Sequence, residues 1–192
     1  MKAFCAISAL LLCVTGPTFA QPGGTAPAMH PIVMTLSSPA FESGAIIPDK
    51  YTAKGATPNM PAPSPALNWI GTPAGTQSYV LIMHDIDVVV GKGTSDNLHW
   101  LAFNIPGNAT SLPEGVPTVA QMPDGTVQPK NRNRNGYGGP GAPPGIYHHY
   151  IFELWALDTK LSLDTDVSRE QVLQAMDGHV LDKGSLVGRF HR

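Results

Sequence analysis

Glycine and proline interrupt this sequence too often for helices to dominate it. The chain of 192 residues carries 20 glycines and 19 prolines, spread between short apolar runs. Short runs separated by turn formers read as strands of a turn-rich β fold. "IVMTL" at Ile32–Leu36 reads as a first strand and "LNW" at Leu67–Trp69 as a short one. Between them "KGATPNMPAPSPA" is an irregular loop, since proline cannot donate to a ladder. "SYVLIMH" at Ser78–His84 is continuously apolar, as expected of a central strand covered on both faces. "LHWLAFNI" at Leu98–Ile105 is a further strand, and Tyr147–Leu157 is the longest. Pro106–Gly145 is expected to be mostly loop. One helix is expected, over Ser168–Lys183. Ser168 caps it with Gln171 as reciprocal partner, Val172, Ala175, Met176, His179 and Val180 form its apolar stripe, and Gly184 ends it.

The first twenty residues stand apart from this pattern. Lys2 precedes "AFCAISALLLCV", an apolar stretch too short to span a bilayer, and "GPTFA" follows it. That order reads as a secretory signal peptide (1–20), cleaved after Ala20. Residues 21–31 read as a polar lead-in and residues 32–192 as one domain, long enough to bury a core. A periplasmic or secreted location follows, with no transmembrane span after cleavage. Both cysteines, Cys5 and Cys13, lie within the signal, so the mature chain has neither a disulfide nor a thiol nucleophile. The formal charge of −2 becomes −3 when Lys2 is lost. No Lys/Arg cluster points to nucleic acid.

Chemistry is expected where polar residues interrupt the strands. Asp85 and Asp87 follow a buried strand at i, i+2, on one face if the chain stays extended; turn-making aspartates at a strand end explain them too. His99 alternates with Leu101, Phe103 and Ile105 and is expected to share their face, where a satisfied core histidine is the commoner outcome. His148 and Tyr150 share a face with Phe152 and Leu154, while His149 points the other way with Ile151 and Trp155. Carboxylates, imidazoles and a phenol at the ends of apolar strands, beside a Gly/Pro loop, can form a small donor-rich pocket for a phosphate-like anion. In it Asp85 would orient one imidazole by accepting from its other nitrogen.

Three stretches carry a family resemblance: "HDIDVVVGKG", "NLHWLAFNIP" and, most specifically, "GYGGPGAPPGIYHHYIFELWALD", with "SLVGRFHR" closing the chain. Together they resemble the phosphatidylethanolamine-binding protein family, in its bacterial Raf-kinase-inhibitor-like (YbhB/YbcL-type) branch. The resemblance implies a mostly β fold, a β-sandwich of two antiparallel sheets with a C-terminal α-helix, and an anion pocket at one end. It carries the pocket residues onto Asp85, His99, His148 and Tyr150, with Asp87, Pro143 and Pro144 lining the same pocket. Ile86 stands where the family has a proline, Val88-Val89 where it has Ala-Pro, and His149 where it has an arginine. The function expected is binding of small anionic ligands or phospholipid headgroups, without catalysis, cofactor or resident metal. A protein-interaction or inhibitor module is the alternative. A metal-dependent hydrolase using Asp85, Asp87, His99 and His148 is a weaker one, since no HExxH or GxSxG motif accompanies them.

Overall fold

A computed structural model describes residues 34–57, 60–131 and 134–192. The expected signal peptide and lead-in, with Ile32 and Val33 of the first expected strand, lie outside the described residues. Among the described residues nine strands and one α-helix follow in order: β1 (Thr35–Ser37), β2 (Leu67–Ile70), β3 (Ser78–Val89), β4 (Asp96–Pro106), β5 (Ser111–Leu112), β6 (Lys130–Asn131), β7 (Arg134–Asn135), β8 (His148–Leu157), α1 (Arg169–Met176) and β9 (Val180–Phe190). Two antiparallel sheets carry the fold, one of order β1-β2-β5 and one of order β4-β3-β8-β9, with a small β6-β7 pair beside them.

The apolar run of β3 explains its central place. Tyr79, Leu81 and Met83 point into a core shared with Leu36, Leu67 and Trp69 of the smaller sheet. Val80 and Ile82 point the other way, into a second core closed by Val172 and Met176 of α1. Both faces are therefore dry, as a strand without alternation requires. β8 alternates cleanly instead: His148, Tyr150, Phe152 and Leu154 are buried, while His149, Ile151, Glu153 and Trp155 are only partly so.

The helix is half as long as its apolar pattern predicts. The capping box forms, with Gln171 N donating to Ser168 Oγ at 3.3 Å and Ser168 N donating to Gln171 Oε1 at 2.9 Å. But α1 stops at Met176, and Gly178 takes φ +81. From Val180 the chain runs antiparallel to β8, pairing Val180 with Leu157 and Gly184 with Leu154. His179 and Val180 therefore do not belong to the helix, and Gly184 sits within a strand. A periodic stripe lost to strand pairing is a tertiary override of local preference.

Two bulges in β4 change which side chains share a face. Met83 pairs with Trp100 and His84 with Leu98, so His99 is an extra residue in the ladder. A second shift, between the Tyr79–Ile105 and Leu81–Ala102 pairs, includes Asn104, at φ 57. Leu101 and Phe103 consequently join the helix-side core and Ile105 the inter-sheet core. The expected common face of His99, Leu101, Phe103 and Ile105 does not exist, because each bulge reverses the alternation. The first bulge instead carries His99 to Tyr150, whose ring it meets edge-on at 5.2 Å.

Candidate anion-binding site

One end of the larger sheet gathers the polar residues. The β3–β8 register ends with Asp85 opposite Tyr150, and the β8–β9 register ends with His148 opposite Phe190. A cavity of about 280 Å³ opens there. Asp85, Asn97, His99, His148 and Tyr150 line its strand side; Gly139, Gly141, Ala142 and Pro143 form its loop wall; Val88 and Arg192 complete the rim.

The Gly/Pro loop is held at several points. Gly138 N donates to His99 O at 2.8 Å, Ala53 N to Pro140 O at 2.8 Å, and Tyr137 Oη to Tyr51 O at 2.6 Å. The buried Asn131 amide donates to both His99 O and Gly136 O. Gly139 is required by close approach, since a Cβ there would lie 2.9 Å from Tyr51 O. A stretch with few side chains is thereby fixed as a wall, with its backbone amides available.

Each polar side chain has a definable state. Asp85 is buried; its Oδ2 accepts from His148 Nδ1 at 2.8 Å and its Oδ1 from Asp87 N at 3.1 Å. With Nδ1 so engaged, Nε2 is the remaining polar atom that His148 can offer to the cavity. His99 differs. A carbonyl only accepts, so its Nδ1 donates to Gly138 O at 2.8 Å, and its Nε2, 2.8 Å from Asn97 Nδ2, accepts from that amide. This pattern suits the neutral ring and makes His99 a shaped wall.

The Tyr150 hydroxyl is buried and makes no hydrogen bond of normal geometry. Burial first, then the charge of Asp85 and a hydrogen-bonding approach to that carboxylate, push its pKa far above the usual tyrosine value. The Gly141 and Ala142 amides work weakly the other way, which places both beside the same oxygen.

Asp87 goes elsewhere. Residues 86–88 leave the β3–β4 ladder between the Asp85–Asn97 and Val89–Asp96 pairs. The exposed Asp87 carboxylate turns to His149, accepting from its backbone N at 2.6 Å and its Nδ1 at 2.9 Å. Partial burial would raise its pKa, but these His149 bonds outweigh that and lower it. Of the residues expected at the pocket, the fold thus brings together Asp85, His99, Pro143, His148 and Tyr150, while Asp87 and Pro144 stay out of its wall. Asn97 and Arg192 were not anticipated. Asn97 stands two residues before His99 and Arg192 two after Phe190, a spacing that a paired strand end makes informative. Among the described residues no group of three or more His, Cys, Asp or Glu side chains is disposed to hold a metal, and no helix is long and apolar enough to cross a membrane.

Comparison with known proteins agrees with this architecture. The family model described as phosphatidylethanolamine-binding protein matches residues 37–191. A UPF0098 protein of Methanothermobacter thermautotrophicus is 42% identical over 160 residues, spanning 83% of this chain and 99% of the relative. A UPF0098 protein of Chlamydia pneumoniae is 38% identical over 162 residues, spanning 83% and 99%. Among solved structures, a phosphatidylethanolamine-binding protein homolog from Chlamydia trachomatis superposes with a TM-score of 0.72 at 34% identity, covering 84% of this chain and 99% of that one. Escherichia coli YbcL, described as a member of the mammalian PEBP family, superposes with a TM-score of 0.71 at 27% identity, covering 83% and 99%.

Proposed function

This chain belongs to the phosphatidylethanolamine-binding protein family, and from that premise we propose that it is an exported binding protein for small phosphate-bearing ligands, headgroups of the phosphatidylethanolamine type included, with no catalysis of its own. The observation that carries this reading is the buried Tyr150 hydroxyl in the cavity wall, which lies beside Asp85 and the Gly141 and Ala142 amides without a hydrogen bond of normal geometry, and His148 lines the same cavity. A buried hydroxyl whose hydrogen bonds are poorly formed is costly unless a ligand or water completes them. An anion would be met there by Tyr150, by protonated Nε2 of His148, by the Gly141 and Ala142 amides and by the Arg192 guanidinium. Asp85 stabilises the imidazolium while its own oxygens are already occupied. Export is supported by the order of charge, apolar run and small residues over 1–20.

Affinity for free phosphate is expected on the order of millimolar, because the pocket is small and partly wet. The test is titration calorimetry with phosphoethanolamine at pH 6 on the wild type, His148→Ala and His149→Ala. Binding should vanish in the first variant and persist in the second, whose side chain pairs with Asp87. Equal impairment of both variants would contradict the assignment.

A further inference from the structure

A second cavity, of about 310 Å³, lies against the anion pocket and shares His99 and Gly139 with it. Its walls are chemically unlike its neighbour's. Ala53, Ala56, Ala62 and Leu98 supply apolar surface. The Asn131 Nδ2 group beside them is already engaged in donating to His99 O and Gly136 O. Arg134 is the one charged side chain among the described lining, is exposed, and makes no ion pair among the described residues. A Cβ at Gly139 would strike Tyr51 O, and one at Gly138 would lie 3.2 Å from His99 O.

An apolar cavity with a single cation, sharing a wall with an anion site, fits an amphiphilic ligand laid across the shared His99 edge. Together the two cavities reach the size range of small-molecule sites. We infer that this second cavity is a subsite for the apolar body of an organic phosphate or phosphonate, with Arg134 placed to pair with a carboxylate at its far end. The inference rests on the anion-binding reading of the first pocket and adds to it the class of organic group that the phosphate carries. Burying methylenes there should strengthen binding, and a terminal carboxylate should strengthen it again through a charge-assisted contact.

The experiment is titration calorimetry on the mature chain with methylphosphonate, hexylphosphonate and 6-phosphonohexanoate. Hexylphosphonate should bind at least about tenfold tighter than methylphosphonate, the effect of burying roughly two of its five added carbons. Ala56→Phe, at an exposed position where the fold is not at stake, should erase that gain and leave methylphosphonate unchanged. 6-Phosphonohexanoate should exceed hexylphosphonate by about threefold, and Arg134→Ala should remove that difference. Equal binding of the methyl and hexyl compounds overturns the subsite and leaves the anion pocket standing, as does a chain-length gain that survives Ala56→Phe. Hexylphosphonate binding that Ala56→Phe blocks, with none of methylphosphonate, overturns the anion reading and keeps the subsite. No binding of any of the three overturns both.

Discussion

Replacing Glu153 with glutamine should cost stability in a way that depends on pH. On the helix side of the larger sheet, His84 lies between two carboxylates, with Nδ1 2.5 Å from Asp96 Oδ2 and Nε2 3.6 Å from Glu153 Oε2. Arg169, from the first turn of α1, pairs with Asp96, and Lys183 of β9 reaches Glu153 at 2.8 Å. The network ties β3, β4, β8, β9 and the helix together. The His84 imidazole, against burial and with help from Lys183, holds the Glu153 carboxyl at about 2, where 4.5 is usual. At about 1.4 kcal/mol per pKa unit the upper limit of its contribution is about 3 kcal/mol. Burial opposes the charged form of His84, but Glu153 and Asp96 outweigh it and raise its pKa. That rise records the same interaction and is not added. The Glu153 side chain is 19% exposed, so solvent screening brings the expectation to about 2 kcal/mol, roughly 4–8 °C in Tm for a domain of this size. A lowered carboxyl contributes above its unfolded pKa and loses that contribution as pH falls toward its folded value. A raised imidazole contributes below its unfolded pKa and loses it as pH rises through its folded value. The full effect therefore lies between about pH 4.5 and 6.5. Scanning calorimetry of Glu153→Gln and wild type from pH 3 to pH 8 should show the largest Tm gap near pH 6 and a narrowing gap on both sides. A pH-independent gap, or none at pH 6, would refute the assignment.

Other expectations follow from burial and from the N-terminal segment. Met176 is 2% exposed beneath the sheet, so Met176→Asp, which buries an unpaired carboxylate, should destabilise by roughly 3 kcal/mol or more in urea denaturation; a variant as stable as wild type would show that α1 does not pack as described. His148→Ala should fold but lose about 1–3 kcal/mol, because the buried Asp85 loses its imidazole partner, and Asp85→Asn in the same background should recover part of that loss in thermal melts. Protein recovered from the native envelope should begin at Gln21 by intact mass; a retained Met1 would exclude cleavage after Ala20.

The strands that place the site were legible where apolar runs are long. β3 and β8 are recognisable from composition and alternation alone, and the β8 pattern puts His148 and Tyr150 on one face and His149 on the other. The bulges were not legible. Nothing local marks His99 as an extra residue, because a bulge is settled by pairing with a distant strand and by the core on either side. The end of α1 misleads for a related reason: apolar positions 172, 175, 176, 179 and 180 fit a helix. Only the Asp177-Gly178 turn dipeptide signals that the chain reverses there. Arg192 enters the site through the register of β9, and Asp87 leaves it because His149 offers two donors; both outcomes depend on contacts between segments far apart in sequence.

If protonated His148 holds the anion, binding and protonation are linked, and that linkage is measurable. Sulfate suits the measurement because its charge does not change over the range used, whereas phosphate itself titrates near neutrality. A bound anion favours the charged imidazole, so affinity must be stronger at low pH than at high pH. Titration calorimetry with sulfate at pH 6 and pH 8.5, in buffers of differing ionisation enthalpy, should show clearly weaker binding at the higher pH. Uptake of up to one proton per sulfate should accompany it, and His148→Ala should remove both effects. Equal affinity at the two pH values with no proton uptake would mean that His148 does not hold the anion in its charged form.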